Sequence, residues 1–121
     1  MIKDTVLECF TGKNIVVTGG TGLIGRQVAE ILYAADAHVK IISLDKININ
    51  NKIVHVYGDL ADFEFCKDIT KDIDYVFHLA GIKGSVEVTK AKPASFFVPL
   101  LMFNTNMLEA CRINKVQKVV Y

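Results

Sequence analysis

Short β-branched segments alternate along the chain with segments in which apolar residues recur every three to four positions. Residues 14–18 (Asn-Ile-Val-Val-Thr) form an almost continuous apolar run, which is typical of a parallel strand buried on both faces. Similar segments predict further strands at residues 39–44, 53–57, 75–79 and 118–121. Helical spacing predicts helices at residues 23–35, 63–70 and 94–114. The alternation predicts an α/β fold, a doubly wound parallel sheet between two helix layers, whose fifth strand has only begun at residue 121.

The start of the second predicted helix carries a capping signal. Asp62 precedes the helical segment, and its carboxylate is expected to accept hydrogen bonds from amides of the first turn. Between the fourth strand and the long helix, the Gly- and Lys-containing residues 80–93 are expected to form a loop.

The predicted helix at residues 94–114 carries two apolar stripes instead of one. The stripes consist of Phe96, Leu100, Phe103 and Met107 on one side and of Phe97, Leu101, Leu108 and Cys111 on the other. A sheet covers a single face of a helix, so the second stripe predicts another partner, either further sequence or a second subunit.

Length and charge narrow the class of protein. The 121 residues fit one domain, and 14 Lys and Arg against 13 Asp and Glu leave no positive field that would attract nucleic acid. The longest apolar run, residues 96–103, is far shorter than the roughly 20 residues of a membrane helix. The N-terminal residues 1–4 include Asp4 and no long apolar region follows them, so we expect no secretion signal and a cytoplasmic location.

The three cysteines, Cys9, Cys66 and Cys111, lie far apart in the sequence. None has a His or Cys at metal-ligand spacing beside it. Their number and spacing predict buried, reduced thiols and no metal site.

A glycine-rich segment joins the first predicted strand directly to the first predicted helix. Gly19 permits a tight turn, Gly22 lets a pyrophosphate approach the backbone, and Gly25 allows the helix to pack close to the strand. The free amides of the helix N-terminus favour phosphate. This arrangement predicts a Rossmann-type dinucleotide site. Its residues here are Gly19, Thr21, Gly22, Leu23, Ile24 and Gly25.

The spacing Thr-Gly-x-x-Gly-x-x-Gly of residues 18–25 resembles that of the extended short-chain dehydrogenase/reductase family, which includes sugar-nucleotide epimerases, dehydratases and reductases. Three further segments resemble family elements: residues 58–60 (Gly-Asp-Leu), 74–81 (Asp-Tyr-Val-Phe-His-Leu-Ala-Gly) and 106–110 (Asn-Met-Leu-Glu-Ala). The resemblance implies that Asp59 and Leu60 belong to the cofactor site and that Asp59 contacts adenine. It implies that Leu79, Ala80 and Gly81 line the ribose and nicotinamide side of NAD or NADP.

The resemblance also implies a function for a longer protein. Residues 1–121 are expected to be an incomplete NAD(P)-binding domain of an epimerase, dehydratase or reductase that transfers hydride to and from the cofactor and binds a nucleotide sugar. Relatives commonly dimerise through such helices, so we expect a homodimer through residues 94–114. Its outer stripe would contain Phe96, Phe103 and Met107. The alternative is a non-enzymatic regulator that senses NAD(P).

The catalytic residues of the family have no counterpart in this sequence. Members use a Ser or Thr just after the fifth strand and a Tyr-x-x-x-Lys pair further on. No Lys stands four residues after any of the tyrosines, which are Tyr33, Tyr57, Tyr75 and Tyr121. The chain is therefore expected to contribute cofactor-binding residues and no catalytic ones.

Cofactor choice depends on the end of the second predicted strand. NAD-binding relatives carry an acidic residue about 18 positions after the last glycine, where it binds the ribose hydroxyls. Counting from Gly25 gives Ser43, and Asp45 fits if the strand is slightly longer. Lys46 would instead favour the 2′-phosphate of NADP. We predict NAD, with NADP as the alternative.

Two residues of the family segments have structural alternatives. His78 is expected to pack at its strand end beneath the cofactor, with a role as catalytic base as the alternative. Asp59 contacts adenine or serves as a turn or cap residue.

Overall fold

The computed structural model describes residues 3–121; Met1 and Ile2, part of the segment from which the absence of a secretion signal was predicted, lie outside the described residues. The strands are β1 (Asn14–Thr18), β2 (His38–Ser43), β3 (Val54–Tyr57), β4 (Tyr75–His78) and β5 (Lys118–Val120). The helices are α1 (Asp4–Leu7), α2 (Leu23–Ala34), α3 (Phe63–Ile69), α4 (Val86–Ala91) and α5 (Pro93–Ile113), with a 3-10 turn at Glu8–Phe10.

The five strands form one parallel sheet in the order β3-β2-β1-β4-β5. The chain leaves β1 towards β2 and β3 on one side and later returns to β4 and β5 on the other. This arrangement confirms the predicted Rossmann-type fold and creates a topological switch point between β1 and β4.

Side chains of successive strand residues point to opposite faces and build two cores. The core on the α2 side includes Ile15, Val17, Ala29, Leu32, Val39 and Ile41. The core on the α3 and α5 side includes Val16, Ile42, Cys66, Ile69, Val76, Met107 and Ala110. Together the sheet and the two cores form the three-layer α/β/α architecture that the continuous apolar strands predict.

The predicted strands and long helices agree with the observed ones to within one or two residues. Asp62 caps α3 as predicted, its carboxylate accepting a hydrogen bond from the Phe65 amide. The loop expected at residues 80–93 contains α4, which the sequence analysis missed. Its six residues include no buried side chain, so it has no apolar stripe, and Ser85 caps it. The short α1 was missed for the same reason.

The predicted outer stripe of α5 is wrong. Phe103 and Met107 are buried in the core and Phe96 is half-buried, whereas Phe97, Leu101 and Leu108 are 64%, 50% and 38% exposed. Cys111, assigned by sequence to the second stripe, is also buried because it lies one turn beyond Met107 on the inner face.

The prediction of buried thiols holds for two of the three cysteines. Cys66 and Cys111 are buried, and burial raises the pKa of the Cys66 thiol to about 12 and that of Cys111 to about 11. Cys9 is exposed, contrary to the prediction, because the 3-10 turn that carries it lies at the surface. All three thiols are free.

Candidate functional site

A cleft of about 480 Å³ lies at the carboxyl ends of the strands, at the switch point between β1 and β4. We call it the switch-point cleft. Its lining residues are Gly19, Thr21, Gly22, Ile42, Ser43, Leu44, Asp45, Gly58, Leu60, Leu79, Ala80, Gly81, Ile82, Lys83 and Phe103. Ligands of doubly wound sheets bind at this position.

The glycine turn after β1 forms the centre of the cleft. Gly19 adopts φ +68°, and a Cβ atom there would lie 2.7 Å from the Leu79 carbonyl oxygen and 2.8 Å from the Ala80 nitrogen. A Cβ atom on Gly25 would collide with the Gly19 carbonyl group. The first glycine and the last are therefore required for the turn itself and for its contact with the chain after β4.

The N-terminus of α2 follows directly after Gly22, which lines the cleft. The helix begins at Leu23 after Gly22, has no side-chain cap and carries no acidic residue in its first turn. Its first amides have no acceptor within the helix, and the helix dipole makes this end positive. The side chains of Leu23 and Ile24 are 83% and 67% exposed, and neither residue is among those that line the cleft. This end of the helix suits an anion.

The end of β2 forms one flank of the cleft. The strand ends at Ser43, so the longer strand considered for Asp45 does not form. Instead the chain bends, and the Ser43 hydroxyl donates a hydrogen bond of 2.7 Å to the Asp45 carbonyl oxygen. The bend brings Asp45 into the cleft lining, and its side chain is exposed. Lys46 is not among the lining residues.

The end of β3 extends the same flank. Gly58 and Leu60 line the cleft, but Asp59 does not. The Asp59 carboxylate accepts a hydrogen bond of 2.9 Å from the Ala61 amide, which is the turn role that the sequence allowed. Adenine contact by Asp59 stays a prediction.

A buried hydrogen-bond network lies at the opposite flank, where β4 ends. His78 Nδ1 is 2.7 Å from Thr18 Oγ1, and His78 Nε2 is 2.9 Å from Asn104 Oδ1. Thr18 Oγ1 also accepts hydrogen bonds from the Leu79 and Ala80 amides, at 3.1 and 3.2 Å. Burial lowers the pKa of His78, which favours the neutral form of the ring. Both ring nitrogens are thus used within the fold, which favours the packing role over that of a catalytic base.

The structure brings most of the predicted site residues together. Those that line the cleft are Gly19, Thr21, Gly22, Ser43, Asp45, Leu60, Leu79, Ala80 and Gly81. Those outside the lining are Leu23, Ile24, Gly25 and Asp59. Lys83, whose position in the loop after the fourth strand allowed either a sugar-diphosphate contact or a solvated side chain, also lines the cleft. Sequence reasoning missed Ile42, Leu44, Gly58, Ile82 and Phe103. Most of these are chain neighbours of predicted residues, whereas Phe103 reaches the cleft from α5 and gives no local signal.

A second cavity of about 400 Å³ lies at the opposite, amino-terminal edge of the sheet, and we call it the amino-edge cavity. Its lining includes Tyr33, His38, Lys40, Lys52, Lys71 and Asp72. It has no glycine turn, and among its lysines Lys71 is paired with Asp68 at 2.8 Å.

Within residues 3–121, no group of three His, Cys, Asp or Glu side chains could hold a metal ion. None of the helices in this part of the chain has the length and apolar character that a membrane crossing requires.

Comparison with known proteins identifies relatives. The sequence model described as the NAD dependent epimerase/dehydratase family matches residues 15–121. A UDP-glucose 4-epimerase of Rickettsia bellii (strain OSU 85-389) is 33% identical over 130 aligned positions, which cover 92% of this chain and 36% of that protein. The inverting UDP-N-acetylglucosamine 4,6-dehydratase of Campylobacter jejuni is 30% identical over 122 positions, again covering 92% of this chain and 36% of the relative.

A solved structure shows the same fold. The crystal structure of the UDP-glucose 4-epimerase of Thermus thermophilus, a complex with NAD, superposes with a TM-score of 0.78 at 29% identity. The superposition covers 89% of this chain and 36% of that one. The chain thus spans a little over a third of the length of these relatives. Because the family match covers residues 15–121, from the second residue of β1 to the end of the chain, the chain belongs to the NAD dependent epimerase/dehydratase family.

Proposed function

We propose that the switch-point cleft binds NAD and that the protein acts on nucleotide sugars as an epimerase, dehydratase or reductase. The observation that carries this proposal is the approach of Gly19 to the backbone of Leu79 and Ala80, which leaves no room for a side chain. A glycine turn built this tightly in front of an uncapped helix N-terminus is the arrangement that a pyrophosphate requires. NAD is also the cofactor in the complex of the Thermus relative.

The residues that line the cleft indicate the orientation in which NAD would bind. The pyrophosphate would lie at the α2 N-terminus, in the middle of the cleft. An acidic residue after the second strand binds the hydroxyls of the adenosine ribose, so Asp45 assigns the adenosine half to the β2 and β3 flank. The nicotinamide half would then extend along Leu79, Ala80 and Gly81 at the β4 flank.

We assign binding and orienting roles to the residues of this chain, and no proton donor for the sugar. When bound, NAD supplies reversible hydride transfer. Leu79, Ile82 and Phe103 give the β4 flank an apolar wall that excludes water from the nicotinamide side. No Tyr-x-x-x-Lys pair occurs in the 121 residues, so the acid and base of the reaction are not assigned to this chain.

We propose a UDP-sugar as the substrate class. The curated relatives are an epimerase and a dehydratase that are both named for UDP-sugars. Lys83 is exposed at the end of the β4 flank, where the nicotinamide half would end. A cation at this position suits the diphosphate of such a substrate.

We further propose that the protein is a homodimer through the outer face of α5. Phe97, Leu101 and Leu108 lie at helical spacing on one face and are more than one third exposed. Val98 and Met102 widen this face and are 50% and 42% exposed. A continuous apolar helix face of this kind suits a self-complementary contact between two copies.

Calorimetric titration with NAD tests the central proposal. We expect the wild-type chain to bind NAD and the Gly22→Val variant to lose binding, because a branched side chain would occupy the approach of the pyrophosphate. A Cβ atom at position 22 would lie 3.2 Å from the Gly19 carbonyl oxygen, a close contact that requires the turn to shift by a few tenths of an ångström, so the affinity of this variant is compared only once it is shown to be folded.

The matched control is Ala34→Val, which adds the same branched side chain at the exposed far end of α2. It should bind NAD like the wild type. Thermal unfolding verifies that both variants are folded. Equal affinity of folded Gly22→Val and wild type would contradict the proposal.

A further inference from the structure

Helix α5 contacts both flanks of the switch-point cleft through two asparagines. Asn104 Oδ1 lies 2.9 Å from His78 Nε2, at the β4 flank. Asn106 Nδ2 donates hydrogen bonds to the carbonyl oxygens of Leu60 and Ala61, at 2.9 and 3.0 Å, at the β3 flank. The two side chains therefore support the two ends of the cleft separately.

Donor and acceptor roles can be assigned consistently along the hydrogen-bond network that begins at Asn104. An amide oxygen only accepts, so His78 Nε2 carries the proton and Nδ1 is left as an acceptor. The Thr18 hydroxyl donates to Nδ1 at 2.7 Å. The two lone pairs of the Thr18 hydroxyl oxygen accept hydrogen bonds from the amides of Leu79 and Ala80.

The backbone at the end of this network is a wall of the cleft. Leu79 and Ala80 line the cleft and contact Gly19 so closely that an added Cβ atom would overlap them. A displacement of these amides would therefore change the space between the glycine turn and the β4 flank.

We propose that Asn104 is a positioning residue for the nicotinamide half of the cofactor. It holds His78 in the tautomer that accepts from Thr18, and Thr18 in turn holds the Leu79 and Ala80 amides. Asn106 is its counterpart at the adenosine half, where it holds the Leu60 and Ala61 carbonyl groups. The inference rests on the proposed binding of NAD and on the direction assigned to it.

Titration with NAD and with ADP separates the two halves, because ADP contains the adenosine and pyrophosphate but no nicotinamide. We expect Asn104→Ala to weaken the binding of NAD about tenfold, because the loss of a buried hydrogen bond has an effect of this size. The same variant should change the affinity for ADP less than about twofold. The matched variant Asn106→Ala should weaken NAD and ADP by the same factor. Equal weakening of both ligands by Asn104→Ala, or no weakening of either, would overturn the proposal.

Rescue at Thr18 distinguishes positioning from a general loss of structure. Thr18→Val keeps the shape but removes the hydroxyl, and should reproduce the loss that is specific to NAD. Thr18→Ser keeps the hydroxyl and should restore NAD binding. A Thr18→Ser variant as weak as Thr18→Val would show that the hydroxyl network does not position the site.

Nitrogen NMR of the wild-type histidine rings tests the same inference without any variant. We expect His78 to carry its proton on Nε2, and its ring signals to shift when NAD is added but not when ADP is added. A proton on Nδ1, or equal shifts with both ligands, would contradict the proposal. If the wild-type chain binds ADP but not NAD, the positioning role fails while the phosphate site stands. If it binds neither, the proposed function itself fails.

Discussion

Thr18 and His78 are the last residues of two neighbouring strands, and their side chains are joined by a hydrogen bond of 2.7 Å directly beneath the switch-point cleft. Both side chains are buried. Within residues 3–121, every buried side-chain nitrogen and oxygen has a hydrogen-bond partner, so this polar pair adds no unsatisfied group to the core. The residues beneath the crevice between β1 and β4 are therefore polar, and their hydrogen bonds are satisfied within the fold.

This buried pair predicts how stability responds to acid. Burial lowers the pKa of His78 below its ordinary value of 6.5, so the unfolded chain binds a proton before the folded chain does. The free energy of unfolding is therefore expected to fall as pH drops below 6.5 and to be unaffected by this residue at higher pH. Denaturant unfolding at several pH values measures the effect.

The control for this prediction is a histidine outside the core. His78→Asn should weaken the dependence on pH below 6.5, whereas His38→Asn, at an exposed position, should leave the contribution of His78 intact. The same pH dependence in His78→Asn and wild type would show that another group is responsible.

Cofactor preference is expected to depend on Asp45. Asp45 is a lining residue of the cleft, where its carboxylate would bind the ribose hydroxyls of NAD and repel the 2′-phosphate of NADP. Asp45→Ala should weaken the binding of NAD about tenfold, as expected when hydrogen bonds to a charged group are lost. The same variant should bind NADP more tightly than the wild type does. Calorimetry with both cofactors gives the ratio. Asp68→Ala, outside the cleft lining, is the control, and an unchanged ratio in Asp45→Ala would assign the preference to Ser43 or Lys46.

The outer face of α5 is expected to mediate self-association. Leu101 is 50% exposed in the middle of this face, so Leu101→Glu should shift the chain to a monomer without disturbing the core. Analytical ultracentrifugation compares it with the wild type and with Val6→Glu, which adds the same charge to the 51% exposed Val6 of α1. A wild-type chain that stays monomeric at high concentration would contradict the proposed dimer.

The 121-residue chain is expected to bind cofactor without turning over a nucleotide sugar. A positioned acid or base contributes about 10² to 10⁴-fold to proton transfer, and no Tyr-x-x-x-Lys pair is present to supply it. The test is incubation with NAD and a panel of UDP-sugars, followed by nicotinamide absorbance and chromatography of the sugars. Sustained turnover above a control without protein would mean that a residue such as His78 supplies the base.

Local patterns were sufficient to predict the sheet and the glycine turn. The apolar run at β1, the turn residues and the period of α2 are adjacent in sequence, and each is decided by backbone geometry and burial of its own segment. The Asp62 cap was predictable for the same reason, since donor and acceptor are three residues apart. The distance from Gly25 gave Ser43, and Asp45 was considered only on a longer strand; the bend that places Asp45 in the cleft was not predicted.

Features set by tertiary packing could not be predicted. Both stripes of α5 are equally apolar in sequence, and contact with α3 and the sheet decides that Phe103 and Met107 face inward. For the same reason, no local sequence pattern predicts that Phe103 lines the cleft. None predicts that Asn104 forms a hydrogen bond with His78, which lies 26 positions earlier. Small exposed helices such as α4 leave no apolar pattern at all.

Backbone amide NMR during titration with NAD tests the central claim most directly, because it reports where on the molecule the cofactor binds. The account predicts that the amides of Gly22, Asp45 and Ala80 shift together as NAD is added, since all three line the switch-point cleft. Amides of the amino-edge cavity, such as those of Lys40 and Lys52, should stay unchanged. Shifts confined to the amino-edge cavity, or no shifts at saturating NAD, would contradict the assignment of the switch-point cleft as the cofactor site.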